Sequence, residues 1–256
     1  MVTAIQRARE VGQRFLIPPE RSLDMEILDA NVHDPGELAE NFRDIRRVNH
    51  LLGGTSVILR QLPSLLDAVP ATQSISILDL ATGTADIPLA IVRWAKRHDR
   101  TVQVTASDVS DQILSIARDE TRGHPEITIE RHDARSVPLP DNQFDLVICS
   151  LSLHHFAPED AVQVLREMRR LARHGIILND LYRTRAGYAL AWIAARVTTR
   201  NRLTRNDAPL SVLRAYSPDE LRDLLRHAGC DTATITKHLW FRMVAVERRV
   251  NHVRRF

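Results

Sequence analysis

The sequence predicts an α/β protein whose parallel sheet carries helices on both faces, preceded by a helical segment and closed by an antiparallel hairpin. Three observations carry this. Short β-rich runs and helical stretches alternate five times between residues 75 and 180, the pattern of parallel strands joined by crossover helices. Near the C-terminus two β segments, 231–236 and 239–246, lie only a couple of residues apart, which a hairpin satisfies and a crossover does not. Before residue 70 the periodicity is helical.

The elements follow in order. Residues 1–15 interleave Arg7, Arg9, Glu10 and Arg14 with apolar side chains, so no secretory leader is expected. Pro18-Pro19 stops any helix begun there. Asp34-Pro35-Gly36-Glu37 supplies a capping aspartate and a first-turn proline. The helix so opened carries Leu38, Phe42, Ile45 and Val48 at helical spacing up to Gly53-Gly54. A second helix is expected over 56–66. Strands are expected over 75–80, 101–106, 127–130, 144–149 and 175–179, with helices over 86–97, 111–121, 158–173 and 218–227. Counting the hairpin gives seven strands. The chain divides into a helical segment, 1–70, and an α/β domain, 71–256, that holds a helical insert at about 182–216.

Composition excludes several classes. Apolar residues make up 44% and charged ones 26%, which rules out a disordered or low-complexity chain. No stretch approaches the roughly 18 apolar residues of a membrane helix. Cys149 and Cys230 stand alone in apolar surroundings, so neither a disulfide nor a metal-ligand set is expected, and a cytoplasmic location fits. Arginine supplies 33 of the 35 basic residues. Residues 1–150 hold 16 basic and 22 acidic side chains, residues 151–256 hold 19 and 10. Such a basic half suits either an anionic partner or solvated helix faces.

Chemistry is expected at the carboxyl ends of the strands. The first strand runs into Asp79-Leu80-Ala81-Thr82-Gly83-Thr84-Ala85-Asp86, whose small residues let a ligand approach the backbone. A single glycine does not make a dinucleotide fingerprint. The second strand, however, ends in Asp108, placed to accept two ribose hydroxyls, and the third is followed by Asp133-Ala134.

On these stretches, together with Ala106-Ser107-Asp108-Val109-Ser110, Leu139-Pro140-Asp141-Asn142-Gln143-Phe144-Asp145 and Leu153-His154-His155-Phe156, residues 75–180 resemble the class I S-adenosylmethionine-dependent methyltransferases. Ala81 and Ala85 stand where many members carry glycine. The resemblance implies a doubly wound, Rossmann-like sheet and S-adenosyl-L-methionine as cofactor. It implies that Asp79, Ala81, Thr82 and Gly83 hold the amino-acid end, Asp108 and Val109 the ribose side, and Asp133 with Ala134 the adenine. Ser150 would lie near the sulfonium.

For the acceptor side, His154, His155 and Asp180 are the candidate acid–base groups. The insert offers Tyr182, Ala186, Ala189, Leu190, Trp192, Ile193 and Val197 between Arg183, Arg185, Arg196 and Arg200. It reads either as a helix packed on the core or as a lid over an apolar acceptor, arginines outward. Asp207, Ser211, Arg214 and Tyr216 are the polar residues of interest in the loop that follows. The insert resembles a subgroup found with type III polyketide synthases and similar to quinone-ring methylating enzymes, which implies secondary metabolism and a phenolic or polyketide-like small molecule. Two alternatives stay open, a nucleic-acid methyltransferase and a non-catalytic cofactor-fold subunit. Against nucleic acid stand the missing RNA-binding module and the scarcity of aromatics. A transient membrane-surface contact through the insert is also expected, and the oligomeric state is open.

Overall fold

The computed structural model describes residues 19–249 apart from 31 and 68. The expectations for residues 1–15 and for Pro18 lie outside the described residues. Helices α1 (Pro35–Leu51), α2 (Gly54–Leu59) and α3 (Leu62–Leu65) precede the alternating region. There follow β1 (Ile75–Leu80), α4 (Asp86–Arg97), β2 (Val102–Asp108), α5 (Asp111–Glu120), β3 (Ile127–Arg131), β4 (Phe144–Ser150), α6 (Pro158–Leu171) and β5 (Ala172–Leu181). The insert forms α7 (Arg185–Thr198) and α8 (Arg202–Arg214), and the chain ends in α9 (Pro218–His227), β6 (Thr234–His238) and β7 (Arg242–Arg248).

One seven-stranded sheet results, in the order β3-β2-β1-β4-β5-β7-β6. Strands β1 to β5 pair in parallel; β7 runs antiparallel to β5 and to β6. The order reverses between β1 and β4, so the carboxyl ends of these two strands flank the crevice where such sheets bind ligands. Two apolar layers sandwich the sheet. One holds Ile77, Ile91, Val104 and Leu146 under α2 and α4; the other holds Leu78, Val147, Leu165 and Leu224 under α6 and α9.

Local chemistry explains the boundaries. Asp34 accepts the Glu37 amide at 2.8 Å and opens α1, with Pro35 at its first position. The single helix expected over 56–66 is split, because Pro63 has no N–H to return to the preceding turn. Strand β5 starts at Ala172, earlier than position 175, and its pairing with Phe144 of β4 ends α6 at Leu171.

Residues 205–217 are expected as a loop at the end of the helical insert of about 182–216. Most of them form α8, which Asn201 caps by accepting the Thr204 amide at 3.0 Å. The buried Leu203 and Val212 hold this helix on the body, and it tolerates Pro209 in its interior. Helix α7 forms as expected, but Leu190, Trp192, Ile193 and Val197 remain exposed, so the core-packing alternative fails for its large side chains.

The N-terminal segment and the insert meet over the strand ends. Asn41 of α1 donates to Thr204 Oγ1 at 3.1 Å, and that hydroxyl donates to Asp44 at 3.0 Å. Asp207 accepts the amides of Ile27 and Leu28, both at 2.9 Å.

Candidate active site at the strand ends

The loop after β1 is wound tightly. Ala81, Gly83 and Ala85 take left-handed φ angles of 53°, 57° and 61°. Two alanines thus hold a conformation that glycine adopts freely and that costs other residues about 1–2 kcal/mol each. Such strain marks functional turns. The loop is tied to β2 on both sides: the Thr82 amide donates to Ser107 O at 2.8 Å, and the Gly83 amide to Asp108 Oδ2 at 3.1 Å. Asp108 Oδ1 accepts the Ser110 amide at 3.1 Å, so its carboxylate stands fixed at the end of β2. Next to it Val109 is 56% exposed, an apolar surface that suits a flat ring. Phe42 of α1 covers the loop; a Cβ built on Gly83 would lie 3.2 Å from its Cε1.

Beneath the loop Asp79 is 1% exposed. Its Oδ2 accepts Thr82 Oγ1 at 2.6 Å, and its Oδ1 has no partner among the described residues. Burial pushes its carboxyl up to about 8, with the charges of Asp86 and Asp108 adding to the rise. Burial also raises Asp108 above the usual carboxylate range.

Other unpartnered buried polar atoms belong to the same strand-end region: Thr84 Oγ1, Asn179 Oδ1, Asn49 Oδ1, and Nε and Nη1 of Arg242. Arg242, at the start of β7, is 2% exposed. Burial lowers its guanidinium to about 10, against the opposing charges of Asp180 and Asp86. An unsatisfied buried polar group costs about 1–3 kcal/mol, so this set is matched to a polar ligand. S-adenosylmethionine fits it. Its ammonium suits the free oxygen of Asp79, its carboxylate an unpaired guanidinium, and its ribose the anchored Asp108.

The remaining expected cofactor residues are placed as follows. Ser150 ends β4 and accepts Asn179 Nδ2 at 2.9 Å. Ala134 is buried after β3. Asp133 stands beside it, but its carboxylate is gripped by Arg135 at 2.7 Å and accepts that residue's own amide at 2.9 Å.

His154 and His155 occupy the 3-10 turn Leu153–His155 after β4. His154 is buried; its Nδ1 lies 2.7 Å from Asp180 Oδ1, and its amide donates to Asp180 Oδ2 at 3.0 Å. The three candidate acid–base residues are therefore together. His155 stacks obliquely on His154, ring centroids 4.4 Å apart, and its Nδ1 lies 2.7 Å from Asp29. Burial opposes ionisation of Asp29, but the hydrogen bond and charge of His155, with Arg214, hold it down at about 2. Glu26, also buried, faces both imidazoles; burial pushes it up to about 7.

The insert completes this cluster. Arg214 donates to Asp29 at 2.8 Å and to the His155 carbonyl at 2.8 Å. Ser211 donates to Glu26 at 2.9 Å, and Tyr216 to the Phe156 carbonyl at 2.7 Å. Asp207, Ser211, Arg214 and Tyr216 are thus bonded to residues 26–29 and to the histidine turn rather than being surface contacts. Arg183 departs from the outward orientation expected of the insert's arginines. It is buried, donating to Pro19 O at 2.7 Å and pairing with Glu220 at 2.7 Å.

Sequence reasoning missed Glu26, Asp29, Asn179 and Arg242. The first two lie more than a hundred residues from the histidines they meet. The signal available was the charge of Arg242 directly before the apolar run Met243 to Val246.

A family model described as a methyltransferase domain matches residues 77–175. The ubiquinone/menaquinone biosynthesis C-methyltransferase UbiE of Cupriavidus taiwanensis is 30% identical over 174 residues, 60% of this chain and 67% of that protein. The enzyme of the same name from Cupriavidus pinatubonensis is 36% identical over 100 residues, and the match spans only 39% of each chain. Among solved structures, a SAM-dependent methyltransferase from Aquifex aeolicus superposes with a TM-score of 0.57 at 17% identity, covering 86% of this chain and all of the other. The CurJ carbon methyltransferase gives 0.58 at 14% identity, with 76% of this chain and 53% of that one covered. These two structural likenesses speak for the fold.

Proposed function

The chain belongs to the class I S-adenosylmethionine-dependent methyltransferases, and on that premise we propose that it methylates a small, apolar, oxygen-bearing acceptor of the phenolic, polyketide or quinone kind. One observation carries the choice of a small molecule. The acceptor end of the site is roofed by the chain's own N-terminal segment and insert, locked through Asp207 and Arg214. That roof suits an enclosed ligand better than a polymer strand. The names of the quinone-biosynthesis relatives support the same class.

S-adenosylmethionine supplies a methyl group on a sulfonium, transferred by in-line displacement, which demands positioning and exclusion of water. The protein's residues divide that work. Asp79 and Arg242 receive the charged ends of the amino-acid portion, and Asp108 fixes the ribose. Asp180 locks the His154 ring and backbone, so His154 is a positioning residue. His155 is the partly exposed member of the pair and faces the acceptor.

The residues 19–66 and α7–α8 act as the lid. Leu190, Ile193 and Val197 repeat at helical spacing on α7, and Leu239 and Trp240 at the turn of the hairpin are exposed as well. Exposed Arg185, Arg196 and Arg200 accompany them. This pattern supports transient docking on an anionic membrane surface to collect an apolar acceptor. Co-sedimentation with anionic but not neutral vesicles, weakened by Ile193→Ser, is the expected result; no binding to either vesicle refutes the docking.

The function itself is tested by incubating the protein with S-adenosylmethionine and a pool of phenols and quinols, then seeking a mass gain of one methylene in an extractable product. Methylation confined to RNA or protein overturns the reading. No cofactor binding at all favours a non-catalytic subunit.

A further inference from the structure

We propose that Glu26, His154 and His155 form a binding site for a divalent first-row cation of the zinc class, with an open coordination position facing the acceptor's oxygen. The site deepens the methyltransferase reading and rests on it only for the identity of the fourth ligand.

Geometry comes first. Nε2 of His154 lies 3.7 Å from Glu26 Oε1, and Nε2 of His155 lies 3.9 Å from Glu26 Oε2. Both separations exceed hydrogen-bonding range, yet the three ligand atoms lie within 4.8 Å of one another. A zinc-class ion with bonds of about 2.0–2.2 Å holds neighbouring ligands roughly 3.3–3.6 Å apart in a tetrahedron. Small side-chain adjustments close that difference.

The surroundings match. Each histidine is held at Nδ1 by a carboxylate, His154 by Asp180 and His155 by Asp29, both at 2.7 Å. An ionised carboxylate only accepts, so Nδ1 carries the proton and Nε2 presents its lone pair. Carboxylate–histidine pairs of this kind orient and strengthen metal-binding imidazoles. Here two such pairs converge on one carboxylate. Neither Nε2 has a hydrogen-bond partner among the described residues. One proton satisfies a single Glu–His contact, whereas a cation bridges all three atoms.

Charge points the same way. The carboxylates of Glu26, Asp29, Asp180 and Asp207 gather here with the guanidiniums of Arg214 and Arg21, and Arg242 also faces Asp180, leaving one negative charge in excess when the acids are ionised and the imidazoles neutral. Two imidazoles and one carboxylate select zinc-like ions over magnesium or calcium, which prefer all-oxygen sets. Ser211 donates to Glu26 Oε1, orienting the carboxylate. The partial exposure of His155 and Asp29 leaves the approach for an acceptor hydroxyl, which on coordination would release its proton to solvent more readily.

The test uses the full chain, stripped with a chelator and titrated with Zn²⁺ by calorimetry and with Co²⁺ by visible absorption. One ion per chain is expected. Glu26→Gln and His155→Ala should each remove that binding, and Asp29→Asn should weaken it about 10–100-fold. The exposed His227→Ala should leave it unchanged. S-adenosylmethionine affinity, measured on every variant, verifies that the fold persists. Absence of one-to-one binding in the wild-type chain, or its survival in both ligand variants, overturns the site. If cofactor binds and metal does not, the metal proposal alone fails; if cofactor does not bind, the methyltransferase reading fails independently.

Discussion

Binding of the cofactor should expel a proton from Asp79, and the size of that effect follows from its burial. The carboxyl is pushed up to about 8 from the ordinary 3.8 because it is enclosed without a cationic partner. The ligand-free chain therefore keeps it protonated near neutrality, while pairing with the ammonium of S-adenosylmethionine requires the anion. The ionised fraction is about one half at pH 8, about one in eleven at pH 7 and about one in a hundred at pH 6. Affinity should thus fall about ninefold between pH 7 and pH 6, equivalent to about 1.3 kcal/mol. Calorimetry at pH 7 in buffers of different ionisation enthalpy should show about 0.9 proton released per cofactor bound. Asp79→Asn isolates the effect, because Asp86 and Asp108, which also titrate above the usual range, remain in place. At pH 8 the variant should bind about one to two orders of magnitude more weakly, the worth of a charged hydrogen bond of about 1.5–3 kcal/mol. At pH 6 the two proteins should converge. Equal pH slopes in wild type and variant, or no proton release by the wild type, would refute the assignment of Asp79 to the ammonium.

Three further outcomes follow from the same geometry. Gly83→Ala adds a left-handed alanine costing about 1–2 kcal/mol and places its Cβ 3.2 Å from Phe42; thermal unfolding should register that loss and cofactor affinity should fall with it. Arg242→Met removes a buried guanidinium with two unpartnered nitrogens. Removing it takes away the partner proposed for the cofactor's carboxylate, so cofactor affinity measured by calorimetry should drop about tenfold or more, the worth of a charged hydrogen bond. Asp207→Ala deprives the Ile27 and Leu28 amides of their acceptor and should cost about 1–3 kcal/mol, read as faster proteolysis of residues 19–34 with the sheet intact.

What was legible in the sequence follows the range of the interactions concerned. Strand β1 and helix α4 were readable to the residue, since apolar runs and caps are local. Asp108 was readable because each strand of a parallel sheet delivers its last residue to the same edge. The split at Pro63 was a local signal left unused. Helix α8 was hidden by Pro209 and by polar residues whose partners lie near residue 26, so no window along the chain exposes its buried face. Glu26 and Asp29 were invisible for the same reason, their significance arising only once α8 carries them onto the histidine turn. Arg183 read as solvated because its partners, Pro19 O and Glu220, are likewise remote.

That dependence on remote partners couples the two halves of the site. The N-terminal segment contributes Phe42, which lies over the cofactor loop at Gly83, and Glu26, which faces the histidine pair. Helix α8 holds both in place, through Thr204 against Asn41 and Asp44 and through Asp207 and Arg214 against residues 24–29. A chain with this segment lifted would expose the cofactor loop and at the same time remove one carboxylate from the acceptor side. In this structure the cover over the loop after β1 and the carboxylate facing the histidines therefore depend on the same helix. Methyl transfer by in-line displacement needs both positioning and exclusion of water, and a single segment that reaches the loop after β1 and the histidine turn ties those two requirements together.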